Sequence, residues 1–243
     1  MRTWAITDRG AVRQQNQDSY CVLTPEEGCA IALVCDGMGG AKAGNVASRM
    51  AVEAVETVLS QTEVEAWKTD PGALWERCIS AANEAILHRA LSDPECEGMG
   101  TTLVGALILD ETVHIVNVGD SRAYLIGEAD GIRRITRDHS LVEDLVSQGR
   151  LSPEKARTHP QKNLITRALG AALHTKGDLY EETLVPGCWL LLCSDGLSNV
   201  MDDQEISYEV LYGGPEETCC ERLLRLAMDR GAPDNVTVVL LKK

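Results

Sequence analysis

Five aspartates stand where apolar runs begin or end, and this placement constrains the chain more than any other feature. Asp36, Asp120 and Asp195 close the runs 32–36, 116–120 and 191–195, while Asp18 and Asp234 stand just before the runs 19–23 and 236–241. The segments 30–36, 102–109, 112–118, 189–193 and 236–241 are mostly apolar at successive positions. That pattern predicts strands covered on both faces, as in stacked sheets with helices outside. Neighbouring antiparallel strands lie ~4.7–4.9 Å apart, so carboxylates at strand ends on one rim reach common ions. Taken singly, each aspartate also reads as a turn residue, and Asp130-Gly131 reads as a hairpin turn only. Together they pose an electrostatic problem: two carboxylates ~4 Å apart repel by roughly 4 kcal/mol at an effective dielectric near 20. Such a cluster is protonated, splayed apart or filled by metal. Hard oxygen donors without clustered His or Cys favour magnesium or manganese over zinc.

The helices follow from periodicity. Val46, Met50, Ala54 and Val58 form one i, i+4 row, and Ala47, Ala51, Val55 and Leu59 a second, which gives one buried stripe over 45–60. Asp70-Pro71 places an N-cap before Pro at the first helical position, and that helix extends to about residue 90. Ser140 and Glu143 have capping-box spacing with Gly149 as the stop, and Ser152-Pro153 opens a short helix. Two further helices are expected over 203–211 and 216–229. Helix pairs around mostly antiparallel strands give an α+β layered fold. With no repeat, low-complexity tract or long linker in the sequence, residues 1–243 read as a single domain.

Hydrophobic residues make up 44% and charged residues 25%, which excludes disorder and a small disulfide scaffold. The 23 Lys and Arg against 37 Asp and Glu leave a net charge of -14, which repels nucleic acid and anionic membranes. No apolar run approaches the ~20 residues of a membrane span. The nine cysteines include no C-x-x-C pair, and Cys35, Cys188, Cys193 and Cys219-Cys220 read as buried thiols. With no apolar leader after Met1, a soluble cytoplasmic protein is expected.

Seven blocks then appear in a recognisable order. They are Arg13-Gln14-Gln15-Asn16-Gln17-Asp18, Asp36-Gly37-Met38-Gly39-Gly40, Gly98-Met99-Gly100-Thr101-Thr102, Gly119-Asp120-Ser121-Arg122, Asp138-His139-Ser140-Leu141, Ser194-Asp195-Gly196-Leu197 and Asp234-Asn235-Val236-Thr237. In these blocks the chain resembles the metal-dependent protein phosphatases, or type 2C serine/threonine phosphatases, and especially their compact bacterial members. The resemblance runs from Thr7 to the end of the chain. It implies a central antiparallel β-sandwich flanked by pairs of α-helices, a four-layer α-β-β-α fold, with a binuclear Mn²⁺ or Mg²⁺ centre at one end. By position, Asp36 would bridge the two ions and the Gly37 carbonyl would ligate the second. Asp195 and Asp234 would hold the first, and Asp18 would orient metal-bound water from the outer shell. Asp120, with Asp195, would hold a third ion as in bacterial relatives, and Arg13 would bind the substrate phosphate.

Three positions depart from parts of the family. Met38 stands where many eukaryotic members have a histidine proposed as general acid, which leaves the acid unassigned. Gln17 replaces a glutamate that binds the second metal in some relatives, and Asn199 replaces an aspartate four residues after the equivalent of Asp195. The segment of about 148–169, with Arg150, His159-Pro160 and Arg167, matches the variable flap beside the metal centre. His159 reads either as a substrate contact or as a turn before Pro160, and His139 and His114 as structural histidines. The expected activity is hydrolysis of phosphoserine and phosphothreonine in proteins by a metal-activated water. The expected partners are phosphoproteins, a bacterial serine/threonine kinase among them, and the expected state is a monomer. A metal-silent phosphoprotein-binding regulator would need a broken metal set, whereas hydrolysis of small phosphate esters stays open.

Overall fold

The computed structural model describes residues 1–243, apart from the side chains of residues 40–42. Two sheets, antiparallel in every pairing, form its centre. The first runs in the order β1 (Arg2–Asp8), β11 (Val236–Lys242), β10 (Trp189–Cys193), β7 (Arg122–Gly127) and β8 (Gly131–Arg134). The second runs β2 (Asp18–Glu26), β3 (Cys29–Met38), β5 (Leu103–Leu109), β6 (Thr112–Val118) and β9 (Asp178–Thr183), with the short β4 (Gly100–Thr101) paired to the end of β3. Helices α1 (Gly40–Ser60) and α3 (Pro71–Ser92), joined through α2 (Val64–Thr69), cover the second sheet. Helices α4 (Leu141–Ser147) and α5 (Pro153–Arg157) belong to an excursion. The turn α6 (Asp195–Ser198) leads into α7 (Asp203–Tyr212) and α8 (Cys219–Asp229), which cover the first sheet.

The four layers follow from where alternate side chains go. In β3, Ile31, Leu33 and Cys35 pack under α1 and α3, while Ala30, Ala32 and Val34 face the other sheet. In β10, Trp189, Leu191 and Cys193 join Leu223 and Ala227 of α8, while Leu190 and Leu192 face inward. A strand buried on both faces needs apolar residues at every position, which is why these runs do not alternate in sequence. The expected α+β sandwich between helix pairs is the fold observed. Among the described residues, no helix is long and apolar enough to cross a membrane.

Several local expectations are corrected. Glu143 does not complete a capping box: Ser140 accepts from the Glu143 N–H, but the Glu143 carboxylate turns to Arg134 at 3.1 Å. The reciprocal box lies instead at Asp202 and Glu205, opening α7. The helix expected over 216–229 begins with a 3-10 turn, Glu216–Thr218, before α8. Asp36 does not end its strand, because β3 continues to Met38 and pairs Gly37 with Thr101. Strands β1, β7, β8 and β9 were not anticipated. Of these, β1, β8 and β9 are sheet edges, and β9 alternates half-buried and exposed residues without a continuous apolar run.

Candidate active site

At one end of the sandwich the layer between the sheets changes from apolar to polar while the period of two is kept. In the second sheet Ala32 and Val34 are followed by Asp36, and across the ladder Asp36 stands directly opposite Asp18. In the first sheet Leu192 is followed by Ser194, Val239 is preceded by Thr237, and Ala5 is followed by Thr7. At these inward-facing positions the second sheet thus ends in carboxylates and the first in hydroxyls. The expected meeting of adjacent strand ends holds for Asp18 and Asp36, but the full set is shared between two sheets: Asp18, Asp36 and Asp120 come from the second, Asp195 and Asp234 from the first.

Asp18 is buried, and its Oδ2 accepts from Ser194 Oγ at 2.7 Å and from Thr237 Oγ1 at 2.6 Å. Its other oxygen, Oδ1, is buried with no hydrogen-bond partner in the protein. Burial, helped by the charges of Asp195 and Asp234, pushes this carboxyl up to about 7, against the pull of the two hydroxyl donors. The Asp36 main chain is clamped by Thr101 of β4 and by Thr102, which joins β4 to β5. Its N–H donates to Thr102 Oγ1 at 2.9 Å, and its carbonyl accepts from the Thr102 N–H at 2.9 Å and from Thr101 Oγ1 at 2.8 Å. Burial, then Asp18, Asp195, Asp120 and Asp234, hold the Asp36 carboxyl well above the carboxylate range. Gly37 lets the backbones meet here, since a Cβ would stand 2.1 Å from the Gly44 carbonyl oxygen.

Asp195 is the first residue of α6, and its Oδ2 accepts from Asn199 Nδ2 at 2.8 Å while its Oδ1 is buried without a partner. Burial, then the Asp234 charge, raises its pKa, against the pull of the Asn199 hydrogen bond. Gly196 allows the turn to press on the opposite strand entry, because a Cβ there would lie 1.9 Å from the Asn235 carbonyl oxygen. Asp120 follows β6, and burial with the Asp195 and Asp138 charges holds it well above the carboxylate range. Asp234 precedes β11, and its Oδ2 accepts from Arg13 Nη2 at 2.7 Å. That bond, more than any other influence, raises the Arg13 pKa. The buried Asn235 staples the arginine loop in place. Its Nδ2 donates to the carbonyls of Arg9 at 2.8 Å and Gln15 at 2.9 Å, and its Oδ1 accepts from the Gln17 N–H at 2.8 Å.

Arg13, Gln17, Asp36, Gly37, Met38, Thr102, Asp120, Asn163, Ile165, Asp195 and Asp234 line a cleft of about 610 Å³, whereas the buried Asp18 and Asn235 are not part of its lining. Asn163 and Ile165 come from the expected flap, whose base is tied by bridges of Ser140 with Ile165 and Thr101 with Leu169. The flap histidine His159 does not line the cleft; its Nδ1 accepts from the Gln161 N–H at 3.1 Å, which is the turn reading. Arg150 and Arg167 also lie away from the cleft lining, and Arg167 pairs with Asp178 at 2.6 Å. His139 is a structural histidine, accepting from the Gly119 N–H at 3.0 Å and meeting Asp178 at 3.1 Å. Sequence reasoning missed the hydroxyls of Thr7, Ser194 and Thr237 and the amide of Asn235. For Ser194, Asn235 and Thr237 the signal was position, since each lies within a block that carries an aspartate; Thr7 lies outside those blocks.

The donor set fits a hard divalent ion. It is all oxygen, its charges repel, and two buried carboxylate oxygens lack any donor, which is costly unless a cation faces them. Among the described residues no three Asp, Glu, His or Cys side chains form a ready-made cage. Ions here would draw part of their coordination from the Gly37 carbonyl and from water, as magnesium-type sites do.

Residues 9–216 match the family model described as Protein phosphatase 2C. The serine/threonine phosphatase stp of Listeria innocua is 38% identical, with 98% of this chain and 94% of the relative covered. Among solved structures, the serine/threonine phosphatase Stp1 of Staphylococcus aureus superposes with a TM-score of 0.92 at 36% identity, covering 99% of this chain and 94% of its own. The catalytic domain of the serine/threonine protein phosphatase PstP, in complex with two manganese ions, superposes with a TM-score of 0.84 at 36% identity, covering 98% of this chain and 96% of its own. A match over most of the sequence and a shared fold lead to one assignment: the chain belongs to the protein phosphatase 2C family.

Proposed function

We propose that this chain hydrolyses phosphoserine and phosphothreonine esters in proteins, with Mn²⁺ or Mg²⁺ bound between the two sheets. Asp36, the Gly37 carbonyl, Asp195 and Asp234 hold two ions, and Asp120 with Asp195 offers a place for a third. When bound, such ions would supply positive charge for the phosphoryl oxygens and acidity for the attacking water. The single observation that carries this reading is that Asp36 and Asp120 from one sheet and Asp195 and Asp234 from the other line one cleft together with Arg13. The net charge of -14 repels a phosphoprotein, so attraction has to be local. Arg13 grips a phosphate oxygen with a guanidinium that never deprotonates. Asp18, saturated at Oδ2, uses Oδ1 to accept a proton-bearing hydrogen bond from the water and to orient it. Met38 cannot donate a proton, so protonation of the leaving serine or threonine oxygen would fall to a water at the site rather than to this side chain.

Residues 1–243 act as one catalytic domain, with residues 148–169 as the flap. A serine/threonine kinase is the counterpart and one substrate, the protein works as a monomer, and its nine free cysteines suit a reducing cytoplasm. The deciding experiment is phosphate release from a defined phosphothreonine peptide with Mn²⁺ and with chelator, run beside a small aryl phosphate. Mn²⁺-dependent release from the peptide is expected. Turnover of the aryl phosphate alone would shift the substrate class to small esters, and silence on both would defeat the reading.

A further inference from the structure

We propose that Thr7, Asn16, Thr237 and Ser194 form a positioning relay that locks Asp18 in one orientation and leaves its Oδ1 open to the water that Asp18 is proposed to orient. The inference rests on the role given to Asp18 above. Proton directions in this network follow from chemistry. Asn16 Nδ2 can only donate, and it donates to Thr7 Oγ1 at 2.8 Å. Ser194 Oγ already accepts the Thr237 N–H at 2.9 Å, so its one proton goes to Asp18 Oδ2 at 2.7 Å. Thr237 Oγ1 lies 2.6 Å from the same carboxylate oxygen and 2.7 Å from Thr7 Oγ1. In its ionised form the carboxylate offers no proton, so Thr237 donates to Asp18, and Thr7 donates to Thr237. The chain therefore runs one way, from Asn16 through Thr7 and Thr237 to Asp18. It closes on itself where the Asp18 N–H donates to Asn16 Oδ1 at 3.1 Å.

The outcome at Asp18 is asymmetric. Oδ2 is saturated by two hydroxyl donors, while Oδ1 is buried and has none. A carboxylate buried only for stability would have both oxygens satisfied. Thr7 and Thr237 are direct cross-strand partners of β1 and β11, and Asp18 stands opposite Asp36 across the β2–β3 ladder. The relay thus joins the hydroxyl-bearing end of one sheet to the carboxylate-bearing end of the other. Chained hydrogen bonds polarise one another, so loss of a remote member is felt at Asp18.

Thr7 is the informative site because it touches none of the proposed ligands. Thr7→Val keeps shape and removes the hydroxyl; Thr7→Ser restores it; Thr237→Val removes a donor directly from Oδ2. Each full-length variant, stripped of metal, is titrated with Mn²⁺ by calorimetry, melted in chelator, and assayed on an aryl phosphate. Outer partners of a metal site typically affect affinity by about tenfold or more when lost. Mn²⁺ affinity and kcat are expected to fall by about three- to tenfold in Thr7→Val and further in Thr237→Val, with KM unchanged and Thr7→Ser close to native. Native Mn²⁺ affinity in Thr7→Val overturns the relay. So does an affinity loss that follows melting temperature in chelator rather than presence of the hydroxyl. If the native protein releases no phosphate, the functional reading fails, while the Mn²⁺ titrations still decide the relay.

Discussion

Arg13 Nη2 donates to Asp234 Oδ2 at 2.7 Å, so the proposed phosphate grip and a proposed metal ligand hold each other. The Arg13 side chain is 52% exposed, and an exposed pair of this kind contributes only about 0–1 kcal/mol. The contact is therefore easily exchanged, for phosphate by the arginine and for an ion by the aspartate. Arg13→Ala is expected to raise KM for a phosphothreonine peptide by about tenfold while kcat changes less. Removing a nearby positive charge and a competitor for Asp234 should also tighten Mn²⁺ binding by a few-fold. Steady-state kinetics and calorimetry read the two effects separately. An unchanged KM removes Arg13 from phosphate binding, and weaker Mn²⁺ binding would mean that Arg13 props Asp234 in place.

Asp36 and Asp195 are expected to tie activity and metal-free stability together in opposite directions. Each is raised by burial and by neighbouring carboxylates, so its charged form is disfavoured where it stands. Asp36→Asn or Asp195→Asn should abolish turnover and, in chelator, raise the melting temperature, because a repelled charge becomes a neutral amide. Circular dichroism melts with and without Mn²⁺ would show it. A correctly metallated variant that still turns over would remove that residue from the metal set.

The same shifts fix a pH dependence. The carboxyls of Asp18, Asp36, Asp120 and Asp195 have folded-state values above their unfolded ones, so the folded chain binds more protons once pH exceeds the ordinary carboxylate range. Their contribution to stability is fully present below that range and is lost as pH rises toward and through about 7, the value for Asp18. Metal-free protein should accordingly melt at a higher temperature near pH 5 than near pH 8. Saturating Mn²⁺ should flatten or reverse the trend, since ions compete with protons for the same oxygens. A metal-free melting temperature that rises steadily across this interval would contradict the sign.

Much of this was legible because two-sided burial and metal chemistry both leave marks in sequence. Strands β3, β5, β6, β10 and β11 showed as apolar runs since both of their faces are covered. The aspartates showed because charge at the end of such a run is costly without a partner. What stayed hidden depended on which strands pair across space. Thr7 and Thr237 are 230 residues apart and meet through the β1–β11 ladder, and their hydroxyls looked like ordinary strand threonines. Glu143 misled because spacing fits a capping box equally well whether its carboxylate turns back or finds Arg134. The split of the carboxylates between two sheets could not be seen from strand ends alone.

Asn235 supplies the last test, because it separates the geometry of the arginine loop from the chemistry of the acids. Its side chain is buried and makes three hydrogen bonds to main-chain groups of Arg9, Gln15 and Gln17, bracketing Arg13. Asn235→Ala would leave those groups to find water near the loop, at a cost of about 2–4 kcal/mol in stability. The main-chain N–H of residue 235 would remain to hold Asp234 Oδ1, now at 2.9 Å, so the acid keeps its orientation. The variant is therefore expected to melt lower and to show a raised KM for phosphopeptide, with Mn²⁺ affinity close to native. Denaturant melts, peptide kinetics and calorimetry distinguish these effects. Loss of Mn²⁺ affinity with KM preserved would reverse the assignment and make Asn235 a support of the metal ligands instead of the arginine loop.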